Sequence, residues 1–257
     1  MISQSINSST RLNIVIGYPL GHTKSPKLHQ EIYRLKNCNA IMLAHPTQDL
    51  SGTIQAIRTL NIGLVAVTMP HKEAILHYAD QLSSEVQTLK SANTLINNKN
   101  ILTAYNTDIN GIEHALRNIS LKDKTVLVIG AGGAARAAAY VLQKNNCNIL
   151  YLNRTVKSAE VLRKLFGGKV IHKDKLYDLP IDIIINTTPI GMHPNSDTSP
   201  LPDYSFNKNQ IIFDMVYNPS ETLLLKTAGS YGAHIISGED MFLGQALKQV
   251  ELFQGIL

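Results

Sequence analysis

Two α/β domains with a cleft between them, the second built on a doubly wound parallel sheet, are what this sequence predicts. Three observations carry that expectation. Short apolar runs alternate with amphipathic stretches along both halves of the 257 residues, the pattern of sheets with crossover helices. The run Val126–Ile129 is followed at once by Gly130-Ala131-Gly132 and then by an Ala-rich segment without proline. Five more candidate strands come after it, which makes the six that a dinucleotide-binding sheet needs.

The first half opens on a polar stretch, Met1–Thr10, without the apolar run of a secretory leader. Leu12–Gly17 then has the length and apolarity of a buried strand. Ser25 as N-cap with Pro26 at the first helical position predicts a helix from Lys27 to about Leu35. Ala40–Ala44 reads as a strand, Asp49–Leu60 as a helix and Gly63–Thr68 as the next strand. Pro70 is expected to open another helix, carrying His71 and Lys72. Ala92–Ile96 and Ile101–Ala104 flank Asn97-Asn98-Lys99-Asn100, a hairpin loop. Asn106-Thr107-Asp108 precedes a helix over Ile109–Asn118, and Ser120–Lys124 makes a polar joint.

In the second half the glycine turn joins strand to helix, with Ala135 at the third position of the G-x-G-x-x-G/A pattern. A small side chain there lets the helix pack on its strand, and the first helical N–H groups point at a pyrophosphate. Further strands are expected at Asn148–Leu152, Lys169–His172, Asp182–Asn186, Gln210–Asp214 and Ala233–Ile236. Gly191–Pro202, with three prolines, is a loop. A last helix, Met241 to about Phe253, is free to return to the first half. The domains are therefore expected at 1–107, completed by a C-terminal segment 238–257, and at 108–237.

The strand after the glycine turn points to the cofactor. Dinucleotide sheets that take NAD place an acid about 20 residues past the glycines to hold the ribose 2′-hydroxyl. Here that region reads Asn153-Arg154-Thr155-Val156-Lys157, with no acid before Glu160. A guanidinium beside an ammonium suits a 2′-phosphate, so NADP is expected, unless Arg154 merely closes a surface turn.

Four groups in the first half fall at strand ends or helix starts: Ser25 with Thr23, Thr68 with Lys72, Asn93, and Asp108. Ser25 and Asp108 could serve only as helix caps, and Asn93 could satisfy a turn. Lys72 differs, because a cation in the first turn of a helix meets the positive end of the dipole. Strand ends facing a nucleotide cleft are where α/β enzymes bind substrates.

From Leu12 to Phe253 the chain resembles the shikimate dehydrogenase family. The resemblance lies in G-x-P-x-x-H-[ST]-x-S-P (Gly17–Pro26), V-T-M-P-H-K (Val67–Lys72), A-N-T-L (Ala92–Leu95) and N-T-D (Asn106–Asp108). It continues in G-A-G-G-A-x-R-A (Gly130–Ala137), N-R-T (Asn153–Thr155), I-I-N-x-T-x-x-G (Ile184–Gly191), D-M-V-Y-x-P (Asp214–Pro219) and G-x-x-M-F-x-x-Q-A (Gly238–Ala246). It implies an N-terminal substrate domain, a Rossmann-type NADP-binding domain, and reversible NADPH-dependent reduction of 3-dehydroshikimate to shikimate on the route to chorismate and aromatic amino acids.

By motif match, Lys72 and Asp108 become the catalytic pair. Thr23 and Ser25 would hold the substrate carboxylate. Thr68, Asn93, Asp108 and Gln245 would hold its hydroxyls, and Tyr217 would line the pocket. The resemblance assigns Gly130, Ala131, Gly132, Gly133 and Ala134 to the pyrophosphate. Asn153, Arg154, Thr155 and Lys157 fall to the adenosine phosphate, and Met215 and Gly238 to the nicotinamide. The sequence departs from the family pattern at Thr23, where Ser is usual, at Ala66 for Asn, at Ser91 for Gly, and at Lys157-Ser158, where another Arg is frequent.

Composition bounds the alternatives. A mean hydropathy of −0.03 and no apolar run of membrane-helix length argue for a soluble chain, expected in the cytoplasm, without a membrane partner. The net charge of +5 is scattered and aromatic content is only 6%, against a nucleic-acid surface. The scattered charge is either a solvated surface or an attraction for anionic small molecules. The two cysteines, Cys38 and Cys147, suit a reducing compartment, and no His cluster has metal spacing. Glutamyl-tRNA reductase-type chemistry would need a nucleophilic cysteine, and Cys38 lacks a basic neighbourhood in sequence. A relative acting on quinate or using NAD, and a non-catalytic NADP-binding sensor, remain the other readings. The expected partner is the small-molecule substrate, in a monomer or homodimer.

Overall fold

The structure is a computed structural model and describes residues 6–21 and 23–257. His22, part of the Gly17–Pro26 motif, lies outside the described residues, as does the start of the polar N-terminal stretch. The chain divides into two compact units, one running to Thr107 and taking in Gln245–Leu257, the other Asp108–Gly244.

The first unit holds β1 (Arg11–Gly17), α1 (Ser25–Leu35), β2 (Ala40–Pro46), α2 (Leu50–Thr59), β3 (Leu64–Val67), β4 (Gln81–Leu82), α3 (Ser84–Leu89), β5 (Thr94–Asn98) and β6 (Ile101–Tyr105). These strands form a mixed six-stranded sheet ordered β2-β1-β3-β5-β6-β4. β1 runs parallel to β2 and β3, whereas β5 runs antiparallel to both its neighbours. Alternation along the central strands sends side chains to both faces. Ile14, Ile16, Val65 and Val67 pack with α2 residues Ile54 and Ile57. Val15, Leu64 and Ala66 pack with Ile32 and Tyr33 of α1 and with Ala246, Val250 and Phe253. The hairpin between β5 and β6 turns on Lys99 and Asn100, both at positive φ (50° and 68°), the two-residue turn that matches strand twist.

The second unit contains α4 (Asp108–Ala115), β7 (Thr125–Ile129), α5 (Gly133–Lys144), β8 (Asn148–Leu152), α6 (Val156–Phe166), β9 (Lys169–Val170), β10 (Ile183–Asn186), β11 (Ile211–Asp214), α7 (Leu223–Ser230), β12 (His234–Ile236) and the start of α8 (Gly238–Gln254). Its sheet is ordered β12-β11-β10-β7-β8-β9, with every pairing parallel. Counted from β7, that is the 3-2-1-4-5-6 order of a doubly wound dinucleotide-binding fold, with the switch point between β7 and β10. The register sets Ile129 level with both Leu152 and Asn186, and Asn186 level with Asp214. The segments beginning at Gly130, Asn153, Thr187 and Met215 therefore leave the sheet along one edge.

Among the described residues no helix is long and apolar enough to cross a membrane.

Candidate functional site

In the first unit the strand directions bring the polar residues together. β1, β3 and β6 end at the sheet edge where the antiparallel β5 begins. Thr68 N–H therefore bonds Ile16 O (2.9 Å), Val67 N–H bonds Asn93 O (2.7 Å), and Asn93 N–H bonds Tyr105 O (3.2 Å). Asn93 is buried, and its side-chain oxygen accepts from Thr107 N–H (2.7 Å), Thr107 Oγ1 (3.1 Å) and Thr94 Oγ1 (2.9 Å). Those donors fix the amide, so its nitrogen turns to Gln245 and donates to Oε1 at 2.9 Å. Asp108 follows Thr107 directly and is the first residue of α4.

Two expectations on this edge need correction. Pro70 does not open a helix: residues 69–73 form a turn, and a short 3-10 helix follows at Ala74–Tyr78. The physical reason lies in the Lys72 carbonyl, which accepts from Ala92 N–H (2.8 Å) and so is not serving a helical ladder. The helix dipole therefore does not act on Lys72; a bond from the segment before β5 ties its backbone beside Asn93 instead. Ser25 is not the N-cap of α1. Lys24 takes that place without a side-chain cap bond, Ser25 is already helical and buried, and Thr23 Oγ1 accepts from Ser25 N–H (3.3 Å). The hydroxyl that caps is Thr23, which leaves the Ser25 hydroxyl for another partner.

The second unit assembles a different set at its sheet edge. Gly130 sits at φ +111°, where a side chain is strained, and a Cβ there would run into Thr187 Oγ1. Gly132 is the N-cap of α5, carries no capping side chain, and a Cβ on it would meet nothing within 4 Å. The first amides of α5, at Gly133 and Ala134, thus start a 12-residue helix under an open approach, the arrangement that receives a phosphate. Ala131 is half-buried in the turn, and Ala135 is buried against the sheet.

At the end of β8, Asn153 Nδ2 donates to Thr155 O (2.9 Å) and closes a short turn from which Arg154 projects, exposed. Thr155 is the N-cap of α6 with no side-chain cap bond, and Lys157 is exposed in its first turn. The first carboxylate to follow, Glu160, is paired with Arg163 on the same helix (2.6 Å).

Met215 and Gly238 meet. A Cβ on Gly238 would stand 2.5 Å from Met215 O and 2.6 Å from Val216 O, so only glycine lets α8 start against that backbone. Tyr217 stacks on Phe242 at 4.5 Å and 6°, and burial pushes its phenol pKa up.

Residues 15–95 match the model of the shikimate dehydrogenase substrate-binding domain, and residues 113–194 match that of shikimate / quinate 5-dehydrogenase. A shikimate dehydrogenase (NADP(+)) of Carboxydothermus hydrogenoformans is 35% identical, over 98% of this chain and 94% of its own. The chain belongs to the shikimate dehydrogenase family. Among solved structures, a shikimate dehydrogenase in complex with NADP+ superposes with a TM-score of 0.93 at 34% identity, covering 99% of this chain and 93% of that one. The Thermus thermophilus shikimate 5-dehydrogenase in complex with NADP(H) and shikimate gives 0.88 at 30%, covering 96% and 94%.

Several residues that shape this scaffold carry no assigned role in the sequence motifs. Buried His71 sends Nε2–H to Thr47 O (2.7 Å) and so ties the turn that carries Lys72 to the end of β2. Asn106 Nδ2 donates to Ser91 O (2.8 Å), while Asn106 Oδ1 and Ser91 Oγ are buried without hydrogen-bond partners among the described residues. At the end of β11, Asp214 accepts from Asn186 Nδ2 (2.9 Å), Val216 N–H (3.0 Å) and Thr222 Oγ1 (2.6 Å). The available signal was position: Asn186 and Asp214 are polar residues ending otherwise apolar strands.

Desolvation raises the Asp214 pKa to about 6, and its three hydrogen bonds offset only part of that. The native state therefore holds this proton more tightly than the unfolded chain does. Its stability contribution is complete below the ordinary carboxylate range and is lost as pH rises through about 6. A displacement of that size corresponds to roughly 3 kcal/mol. Relative to the native chain, Asp214→Asn is expected to gain stability between about pH 4 and 6 and to level off above, read by urea unfolding. A stability difference that stays flat with pH refutes the titration.

Proposed function

We propose that this chain catalyses the reversible NADPH-dependent reduction of 3-dehydroshikimate to shikimate, as a cytoplasmic enzyme of aromatic amino acid biosynthesis. The observation that carries the reading is full-length likeness to NADP(+)-dependent shikimate dehydrogenases, including a structure with NADP(H) and shikimate. The glycine cradle at α5 and the basic turn after β8 fit the cofactor, which supplies the hydride when bound.

The chain's own residues do the rest. Hydride arrival puts negative charge on the ketone oxygen; the Lys72 ammonium stabilises that charge and delivers the proton. Asp108 orients the lysine and accepts a substrate hydroxyl. Thr23 and Ser25, at the start of α1, take the carboxylate, where the helix dipole favours an anion. Thr68, Asn93 and Gln245 take ring hydroxyls, with Asn93 Nδ2 and Gln245 already oriented toward one another. Tyr217 lines the pocket. Gly130 to Ala134 approach the pyrophosphate, Asn153, Arg154, Thr155 and Lys157 the adenosine phosphate, and Met215 and Gly238 border the nicotinamide.

The test is NADP+ reduction with shikimate and with quinate, repeated with NAD+. Quinate carries a tetrahedral carbon and an extra hydroxyl beside its carboxylate, and Thr23 adds a methyl where a serine would leave room. An unpaired buried hydroxyl costs ~1–3 kcal/mol, so kcat/KM for shikimate is expected to exceed that for quinate by at least about tenfold. Thr23→Ser should narrow the gap. Parity between the two acids overturns the steric argument.

A further inference from the structure

A buried polar chain crosses the first unit beneath the residues assigned to substrate. It starts at α1, where Ser25 O, which can only accept, lies 2.9 Å from His29 Nδ1. His29 is fully buried, and its other nitrogen, Nε2, lies 2.9 Å from Gln249 Oε1 of α8. That oxygen also only accepts, so the ring donates to both partners when each nitrogen carries a proton, a charge that burial disfavours. Gln249 is also buried, and its amide nitrogen donates to Thr94 Oγ1 (2.9 Å) and to Asn93 O (3.3 Å). Thr94 Oγ1 in turn donates to Asn93 Oδ1 (2.9 Å), the atom on which the Asn93 amide is oriented toward Gln245. Three polar side chains, those of His29, Gln249 and Thr94, thus run from the backbone of Ser25 to both backbone and side chain of Asn93. His29 also meets the Tyr33 ring edge-on at 6.0 Å, so apolar packing holds the imidazole in its plane.

Resting on the substrate assignment above, we infer that His29 and Gln249 are positioning residues for substrate. They fix the spacing between the carboxylate-holding start of α1 and the hydroxyl-holding pair Asn93 and Gln245. Three separate parts of the chain, the start of α1, the residue before β5 and α8, supply those groups, and apolar packing alone sets their separation loosely, because an aliphatic contact has no preferred direction. A hydrogen-bonded relay has fixed lengths and angles, and in a buried setting leaving one member unpaired is costly. Gln249 sits one helical turn beyond Gln245, so whatever fixes Gln249 fixes the height and rotation of Gln245. His29 does the same for Ser25, one turn back along α1. The hydrogen bonds of His29 and Gln249 end on Ser25, Thr94 and Asn93 and not on the glycine cradle, so the expected signature is selective for substrate over cofactor binding.

Gln249→Leu and His29→Phe are the direct tests, each with KM and kcat for shikimate and with NADP+ affinity. Each is expected to raise the shikimate KM by about three- to tenfold, the size of one net hydrogen bond, with kcat and NADP+ affinity little changed. The double variant should do no more damage than the worse single one, because both break the same chain. Where Gln249→Leu fails to fold, Gln249→Glu serves: its carboxylate can still face His29 but has no N–H for Asn93 O, so the KM should rise here too. Unchanged shikimate KM in folded variants, or additive losses in the double, overturns the relay. Ser25→Ala separates this from failure of the underlying assignment. If that variant leaves the shikimate KM unmoved, the substrate is held elsewhere and the inference falls with the assignment.

Discussion

Replacing Lys72 by alanine is expected to lower kcat by ~10²–10⁴-fold or more while NADP+ affinity stays near that of the parent. General acid–base catalysis accounts for that range, and loss of a cation facing the developing alkoxide adds to it. The structure makes the variant readable. Lys72 is held by its backbone, through Ala92 N–H to Lys72 O, and the neighbouring turn is held by His71 on Thr47 O. Truncating the side chain leaves both bonds intact, so Thr68 and Asn93 should keep their places and the shikimate KM should change little. Steady-state rates with shikimate, alongside NADP+ titration, decide it. A variant that keeps a tenth of the parent rate removes Lys72 from proton transfer, since ~10²-fold is the floor for such a group.

Arg154→Ala is expected to cost NADPH roughly ten- to a hundredfold in kcat/KM and to leave NADH nearly untouched, so the preference for the phosphorylated cofactor collapses. The guanidinium can give a 2′-phosphate two parallel charge-assisted bonds, and a ribose hydroxyl offers no matching anion. Glu160, the first acid after it in the chain, is engaged with Arg163 on the same helix. The Asn153–Thr155 bond that closes the turn uses side chain and backbone on either side of Arg154, so the turn survives the substitution. Rates with both cofactors check the claim. Equal efficiency of NADPH and NADH in the parent chain sinks it outright.

The second unit was largely legible in the sequence, and the reason is physical. Parallel strands buried on both faces read as unbroken apolar runs, so Val126–Ile129 and Asn148–Leu152 lie within a residue of β7 and β8. The first unit was harder. Pro70 looks like a helix start, but local propensity says nothing of the Ala92 amide that claims the Lys72 carbonyl. Two-residue β4 and six-residue α3 are too short to show a period. At the site, residue types at strand ends marked Thr68, Asn93 and Asp108, whereas Thr107, His29 and Gln249 act through partners up to 220 positions away. A capping hydroxyl and a binding hydroxyl are also indistinguishable at Thr23 and Ser25 until backbone angles exist.

The return of α8 to the first unit inverts the timetable of synthesis. Asn93 waits 152 positions for Gln245, and His29 waits 220 for Gln249. Phe253, wholly buried, closes the face formed by Tyr33, Leu64, Ala66 and Ile96, and its ring fills the space above Gly63. Until the ribosome has added α8, the half of the protein made first exposes an oily sheet face and an unanswered imidazole. The half made second is unbroken in sequence from Asp108 to Gly244 and can close on itself earlier. A chain cut short within α8 would therefore have its nucleotide half whole and its older half unfinished, a substrate for chaperones and proteases rather than a weaker enzyme.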